Sequence, residues 1–336
     1  MSNLLETLLS ERDWLLADGA TGTNLFNMGL EAGEAPELWN ESEPGKIRAL
    51  YQGAVDAGSD IFLTNTFGGN ASRLKLHDAA DRAYDLNRIS AEIAREVADT
   101  AGRRVVVAGS MGPTGEIMAP LGPLTIEGAA EMFEEQARGL MAGGADLLWI
   151  ETISAPEEFE AAALGISRVG APWCGTMSFD TAGRTMMGLT SADMVGLAQS
   201  LPYPPLAFGA NCGVGASDLL RTVLGFTASA PHLPVIAKGN AGIPKFSDGR
   251  ILYDGTPELM ADYAVLARDC GAKIIGGCCG TTPVHLTAMR EALESRPRGP
   301  APDIETITGR LGGLSSASDG LGVEPGPLRE RRRRRG

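Results

Sequence analysis

Eight short apolar runs, each followed by a stretch with apolar residues at helical spacing, constrain this chain more than any other feature. The runs cover residues 14–20, 60–66, 105–111, 147–152, 173–179, 207–212, 234–240 and 273–279. Helical patterns such as 126–143, 155–169, 217–227 and 257–270 lie between them. Near-continuous apolar runs suit strands that are covered on both faces, as in a parallel sheet. Strand–helix alternation at this length, 336 residues, predicts a single (β/α)8 TIM barrel rather than an open doubly wound sheet.

The predicted strands share a second property, because they end in polar or small residues. Examples are Asp18-Gly19-Ala20-Thr21-Gly22, Thr64-Asn65-Thr66, Glu151-Thr152, Asn211-Cys212, Lys238-Gly239-Asn240 and Gly277-Cys278-Cys279-Gly280. In a barrel these ends converge on one rim, where the chemistry of the fold takes place. Turn-forming residues account for one or two such ends, not for all of them.

The barrel is expected over residues 1–295. Beyond it, residues 296–336 turn rich in Pro, Gly, Ser and Arg, and so little apolar surface predicts a flexible tail. The tail holds nine arginines against five acidic residues, so the barrel is more acidic than the overall charge of −13. An acidic body is repelled by nucleic acid and by anionic membranes, and neither is expected as a partner. No apolar run is long enough to span a bilayer, and the first twelve residues lack a secretory pattern. With an odd number of cysteines, five, these features predict a reducing, cytoplasmic setting. Assembly into a homo-oligomer is left open.

Three of the cysteines stand at strand ends. Cys278 and Cys279 are adjacent and flanked by glycines, and Cys212 closes another strand. Neighbouring side chains of a regular strand point to opposite faces, so both thiols reach one ion only if the strand breaks there. The flanking glycines permit the break, and a disulfide between adjacent residues would be strained. Three thiolates from two strand ends leave one tetrahedral position on a zinc ion free, which marks a catalytic rather than a structural site. The competing reading is that they are small core residues. Cys174 and Cys270 fit that role, and His77, His232 and His285 fall away from strand ends.

Together, Asp18-Gly19-Ala20-Thr21-Gly22-Thr23, Thr64-Asn65-Thr66-Phe67, Gly112-Pro113, Glu151-Thr152, Asn211-Cys212 and Gly276-Gly277-Cys278-Cys279-Gly280 resemble the homocysteine S-methyltransferase family. That family includes betaine–homocysteine methyltransferases, S-methylmethionine-using enzymes and the homocysteine barrel of cobalamin-dependent methionine synthase. The resemblance spans roughly residues 10–295 and implies one zinc per chain on Cys212, Cys278 and Cys279. The homocysteine sulfur would take the fourth position. It further implies that Glu151 and Asp18 face the substrate ammonium and that backbone N–H groups at Gly19 and Ala20 hold its carboxylate. Thr66 and Asn211 would be hydrogen-bonding neighbours. A plain salt bridge or cap is the alternative for Asp18 and Glu151.

The implied reaction is methylation of homocysteine to methionine. A free thiol with pKa near 8.5 is only about 3% ionised at pH 7, and coordination to zinc deprotonates it. For the donor, the betaine-using relatives imply tyrosines where this chain has Asn70 and Thr152. Onium donors are commonly held in aromatic cages, and here Trp39 and Phe67 are the residues that could compensate. The strand ends look more like the cobalamin-dependent relatives, although 336 residues leave no room for their folate and cobalamin domains. A methylated corrinoid, methylcobalamin carried on a separate protein, is therefore expected ahead of betaine. The other readings are an inert zinc barrel serving as scaffold or regulatory subunit, and a methyltransferase for another small thiol.

Overall fold

Each apolar run contains a strand in the computed structural model, which describes residues 3–243, 245–247 and 250–316. The strands are β1 (Leu15–Leu16), β2 (Ile61–Leu63), β3 (Val106–Met111), β4 (Leu147–Ile153), β5 (Trp173–Met177), β6 (Ala207–Cys212) and β7 (Val235–Gly239). A hairpin not anticipated from the pattern, β8 (Lys245–Ser247) with β9 (Arg250–Leu252), precedes β10 (Ile274–Gly277). Parallel pairing runs β1-β10-β7-β6-β5-β4-β3-β2, and a parallel bridge from Ala17 to Ile61 joins β1 to β2. The expected (β/α)8 barrel is the architecture found.

Burial follows the two-residue period of the strands. Leu15, Ile61, Leu63, Val106, Ala108, Leu147, Trp149, Cys174, Ala207, Ile236 and Ile274 form one buried cluster, the barrel interior. Their neighbours Leu16, Phe62, Val107, Leu148, Trp173, Phe208, Val235 and Ile275 belong to a second cluster, shared with the surrounding helices. The helix Leu4–Glu11, held by a capping box between Asn3 and Glu6, sends Leu5 and Leu8 into the interior cluster. Those two leucines plug the N-terminal end of the barrel. Cys174 and Cys270 are both buried, as core residues should be.

Close helix contact depends on small residues. A Cβ at Gly139 would lie 2.4 Å from the Tyr84 carbonyl oxygen, and one at Gly165 2.6 Å from that of Ala130. Larger side chains there would push the outer helices apart.

Packing continues beyond the expected boundary at residue 295. The helix Ile304–Leu311 buries Ile307, which is 0% exposed, in the outer core. Ser217 Oγ donates to the Gly312 carbonyl at 2.6 Å, and the Ser315 amide donates to Asp218 Oδ2 at 2.9 Å. Arg296 and Arg310 both pair with Asp262. Within residues 296–316 of the expected tail, a short amphipathic helix and a few polar contacts pack against the barrel. Residues 317–336 of the expected tail lie outside the described residues. Among the described residues, no helix is long and apolar enough to cross a membrane.

Candidate metal centre

The alternation that fills the barrel with apolar side chains turns polar at its C-terminal end. Two residues past Ala108, Trp149, Cys174 and Ile236, the interior positions become Ser110, Glu151, Thr176 and Lys238, and β6 contributes Asn211. These side chains are linked to one another and to the loops. Ser110 Oγ donates to Glu151. Thr176 Oγ1 donates to Asn211 Oδ1 at 2.8 Å. Lys238 Nζ donates to Asp18 Oδ1 at 2.6 Å.

Above this layer the three cysteines meet. Strand β10 stops at Gly277, and the chain turns through Gly280, which has φ +79°. A Cβ at Gly280 would sit 2.4 Å from Tyr253 Cβ, so only glycine fits the turn. The Cys278 amide donates to the Gly239 carbonyl at 2.7 Å, and the Cys279 carbonyl accepts from Ala241 at 2.9 Å. These bonds fix the break that brings both thiols to one side. Cys212 closes β6 in the left-handed region at φ +63°, an uncommon conformation for a residue with a Cβ. Its Sγ lies 3.9 Å from that of Cys279, and all three sulfurs lie within 4.8 Å of one another.

That spacing fits a metal. Thiolates 2.3 Å from a common tetrahedral zinc would be about 3.8 Å apart. The chemistry of the donors agrees, because three crowded thiols do not ionise together unaided. The hydrogen bond with Cys278 and burial push Cys212 up to about 12, and the bond with Cys212 and burial push Cys279 up to about 11. A divalent cation removes that penalty.

Asn211 ties the thiols to β4. Its Oδ1 accepts from the Thr152 amide at 2.9 Å, and its Nδ2 donates to Thr152 Oγ1 at 2.7 Å and to Cys278 Sγ at 3.7 Å. Thr152 is another left-handed residue, at φ +62°. Glu151, beside it, is half-buried, and burial pushes its carboxyl pKa up against the opposing pull of Lys238. Lys238 keeps its proton despite burial, because Asp18 and Glu151 raise its pKa.

A cavity of about 330 Å³ joins these groups. Asp18, Gly19, Ala20, Phe67, Glu151, Thr152, Cys212, Lys238, Cys278 and Cys279 are among its lining residues. Thr66 and the Ala20 amide are already hydrogen-bonded within the protein. Thr66 is buried with its hydroxyl on Thr64 and the Ser110 carbonyl, and it does not line the cavity. The Ala20 amide already donates to the Thr281 carbonyl at 3.0 Å. Gly19 passes so close to that carbonyl that a Cβ would lie 2.7 Å from it. Asn70 is buried as a helix cap, accepting from the Arg73 amide at 3.0 Å. Trp39 is buried in the outer core. Lys238, for which the strand-end pattern alone implies no role, is placed there by standing two residues past the interior Ile236.

The model of the homocysteine S-methyltransferase family matches residues 15–293. The methionine synthase of Mycobacterium tuberculosis is 31% identical over 313 residues, covering 87% of this chain and 25% of that protein. That of Mycobacterium leprae is 31% identical over 319 residues, covering 90% and 26%. The chain thus spans about a quarter of the length of these relatives. Among solved structures, the homocysteine methyltransferase MmuM from Escherichia coli is similar in its oxidized form, with 26% identity and TM-score 0.70 over 86% of this chain and 99% of that one. Its metallated form matches with the same identity and TM-score over 85% and 99%.

Proposed function

The chain belongs to the homocysteine S-methyltransferase family, and from that premise we propose that it methylates the homocysteine sulfur at a zinc ion held by Cys212, Cys278 and Cys279. The observation that carries the reading is the convergence of three thiols, within 4.8 Å of one another, on a cavity that also holds carboxylates. Bound zinc supplies a Lewis-acid site that keeps the acceptor sulfur ionised at neutral pH. The protein supplies orientation. Asn211 steadies Cys278 and the Thr152 backbone, so the acceptor sulfur meets a fixed frame. Glu151 faces the acceptor ammonium, with Asp18 set beside it by Lys238 and the Leu63 amide. Reaction then requires the sulfur, methyl group and leaving group in line, and a rigid rim supplies that alignment.

For the donor we favour a methylated corrinoid delivered by a separate protein. Large apolar side chains stand exposed on loops that follow the strands: Leu76, Ile117, Leu121, Met186 and Met187, with Leu121 76% exposed. Exposed apolar groups concentrated around a catalytic mouth mark a docking surface. Phe67 lines the cavity and Tyr253 lies against Cys279 and Gly280, whereas an onium donor favours a cage of more rings. The deciding experiment incubates zinc-loaded protein and homocysteine with betaine, S-methylmethionine or methylcobalamin and measures methionine. Turnover with the corrinoid alone supports the reading, and robust turnover with betaine replaces the donor assignment. Binding of zinc without methyl transfer to homocysteine or any other thiol, from any of these donors, points to the scaffold alternative.

A further inference from the structure

Lys238 is 2% exposed, lines the cavity and is paired with Asp18. An ammonium carries three donors, and one of them is bonded to Asp18 Oδ1 at 2.6 Å. Asp18 Oδ2 is taken by the Leu63 amide at 2.8 Å. Around this pair the cavity is acidic, lined by Glu151 and the three cysteines. The other basic groups lining it, Arg73 and His77, come from the segment after β2, and Arg73 is exposed. An amino-acid thiol brings both an ammonium and a carboxylate. The carboxylate gains from a positive pole, because of the two amides expected to hold it, Gly19 and Ala20, that of Ala20 is spent on Thr281.

We infer that Lys238 is the specificity residue for the carboxylate end of the acceptor, the positive pole that lets an acidic cavity take a zwitterionic thiol. Asp18 then serves two ends, anchoring the lysine and limiting its charge to the direction of the cavity. A buried charge held by a partner acts strongly over short distances because little water screens it. This inference rests on the proposed acceptor, homocysteine.

The test measures calorimetric binding of three thiols to the zinc-loaded protein, so no methyl donor is needed. They are homocysteine, 4-mercaptobutyrate with the carboxylate alone, and 3-mercaptopropylamine with the ammonium alone. Lys238→Met should weaken homocysteine and 4-mercaptobutyrate by about ten- to hundredfold and 3-mercaptopropylamine by less than about threefold. Lys238→Arg, which keeps the charge, should recover most of the loss. Because Lys238→Met strands a buried carboxylate, Lys238→Gln, which keeps a neutral donor for Asp18, is the second variant, and it should show the same selective loss on 4-mercaptobutyrate. Equal weakening of all three thiols, or no weakening, overturns the inference even if homocysteine is methylated normally. Selective loss in a protein that transfers no methyl group leaves the inference standing and overturns the proposed function.

Discussion

Replacing Asn211 with alanine tests the frame that holds the metal site. The side chain accepts from the Thr152 amide and the Thr176 hydroxyl and donates to Thr152 Oγ1, all at 2.7–2.9 Å. Its removal leaves the Thr152 amide without an acceptor and the Thr176 hydroxyl with only the longer bond to the Ile150 carbonyl at 3.4 Å, at about 1–3 kcal/mol for each donor when dry. Some water will enter the space, so the net loss should be about 2–4 kcal/mol. Urea unfolding of chelator-treated protein reads this loss apart from any metal effect. Asn211→Asp keeps the accepting oxygen but buries a carboxylate, so its loss should be larger at pH 8 than at pH 5. It also exchanges the N–H facing Cys278 for an anionic oxygen, so zinc should bind at least about tenfold more weakly in chelator competition. If Asn211→Ala unfolds within about 0.5 kcal/mol of the natural protein and holds zinc equally well, the positioning role is refuted.

Glu151→Gln keeps the shape but removes the charge, so kcat/KM for homocysteine should fall about ten- to hundredfold; an unchanged value makes Glu151 structural. Glu37 is buried, accepts from the Gly68 amide at 2.6 Å, and is raised above its ordinary 4.5 by burial. Ionisation is therefore harder in the folded state, and stability is lost as pH rises past that value. Glu37→Gln should raise Tm at pH 7–8, with the gain vanishing below about pH 4.5; a gain independent of pH contradicts this. Ending the chain after Ser295 uncovers the site of Ile307 and removes about 2 kcal/mol of burial, so Tm should drop by several degrees. Ending it after Ser316 keeps those contacts, and an equal drop for both cuts would contradict the account.

The barrel was legible because its strands are short, apolar on both faces and separated by helical spacing, a signal that is local. The cysteine site was legible for a related reason. Adjacent Cys278 and Cys279 between glycines make sense only where a strand breaks, and β10 does stop at Gly277. What escaped was long-range. The Lys238–Asp18 bond joins residues 220 apart, and no local pattern pairs them. Thr66 reads like a rim residue, but its hydroxyl satisfies Ser110 and Thr64 inside the barrel. The helix Ile304–Leu311 hides in polar sequence, because a single buried isoleucine and contacts to Ser217, Asp218 and Asp262 hold its segment in place.

The proposed reaction turns on three cysteines that present a metal with one position for the acceptor sulfur. X-ray absorption at the zinc edge, recorded on the loaded protein before and after adding homocysteine, tests it most directly. Loaded protein should hold about one zinc per chain, with three sulfur ligands near 2.3 Å rising to four when homocysteine binds. A site with four protein ligands, or a sulfur count that homocysteine leaves unchanged, would contradict it.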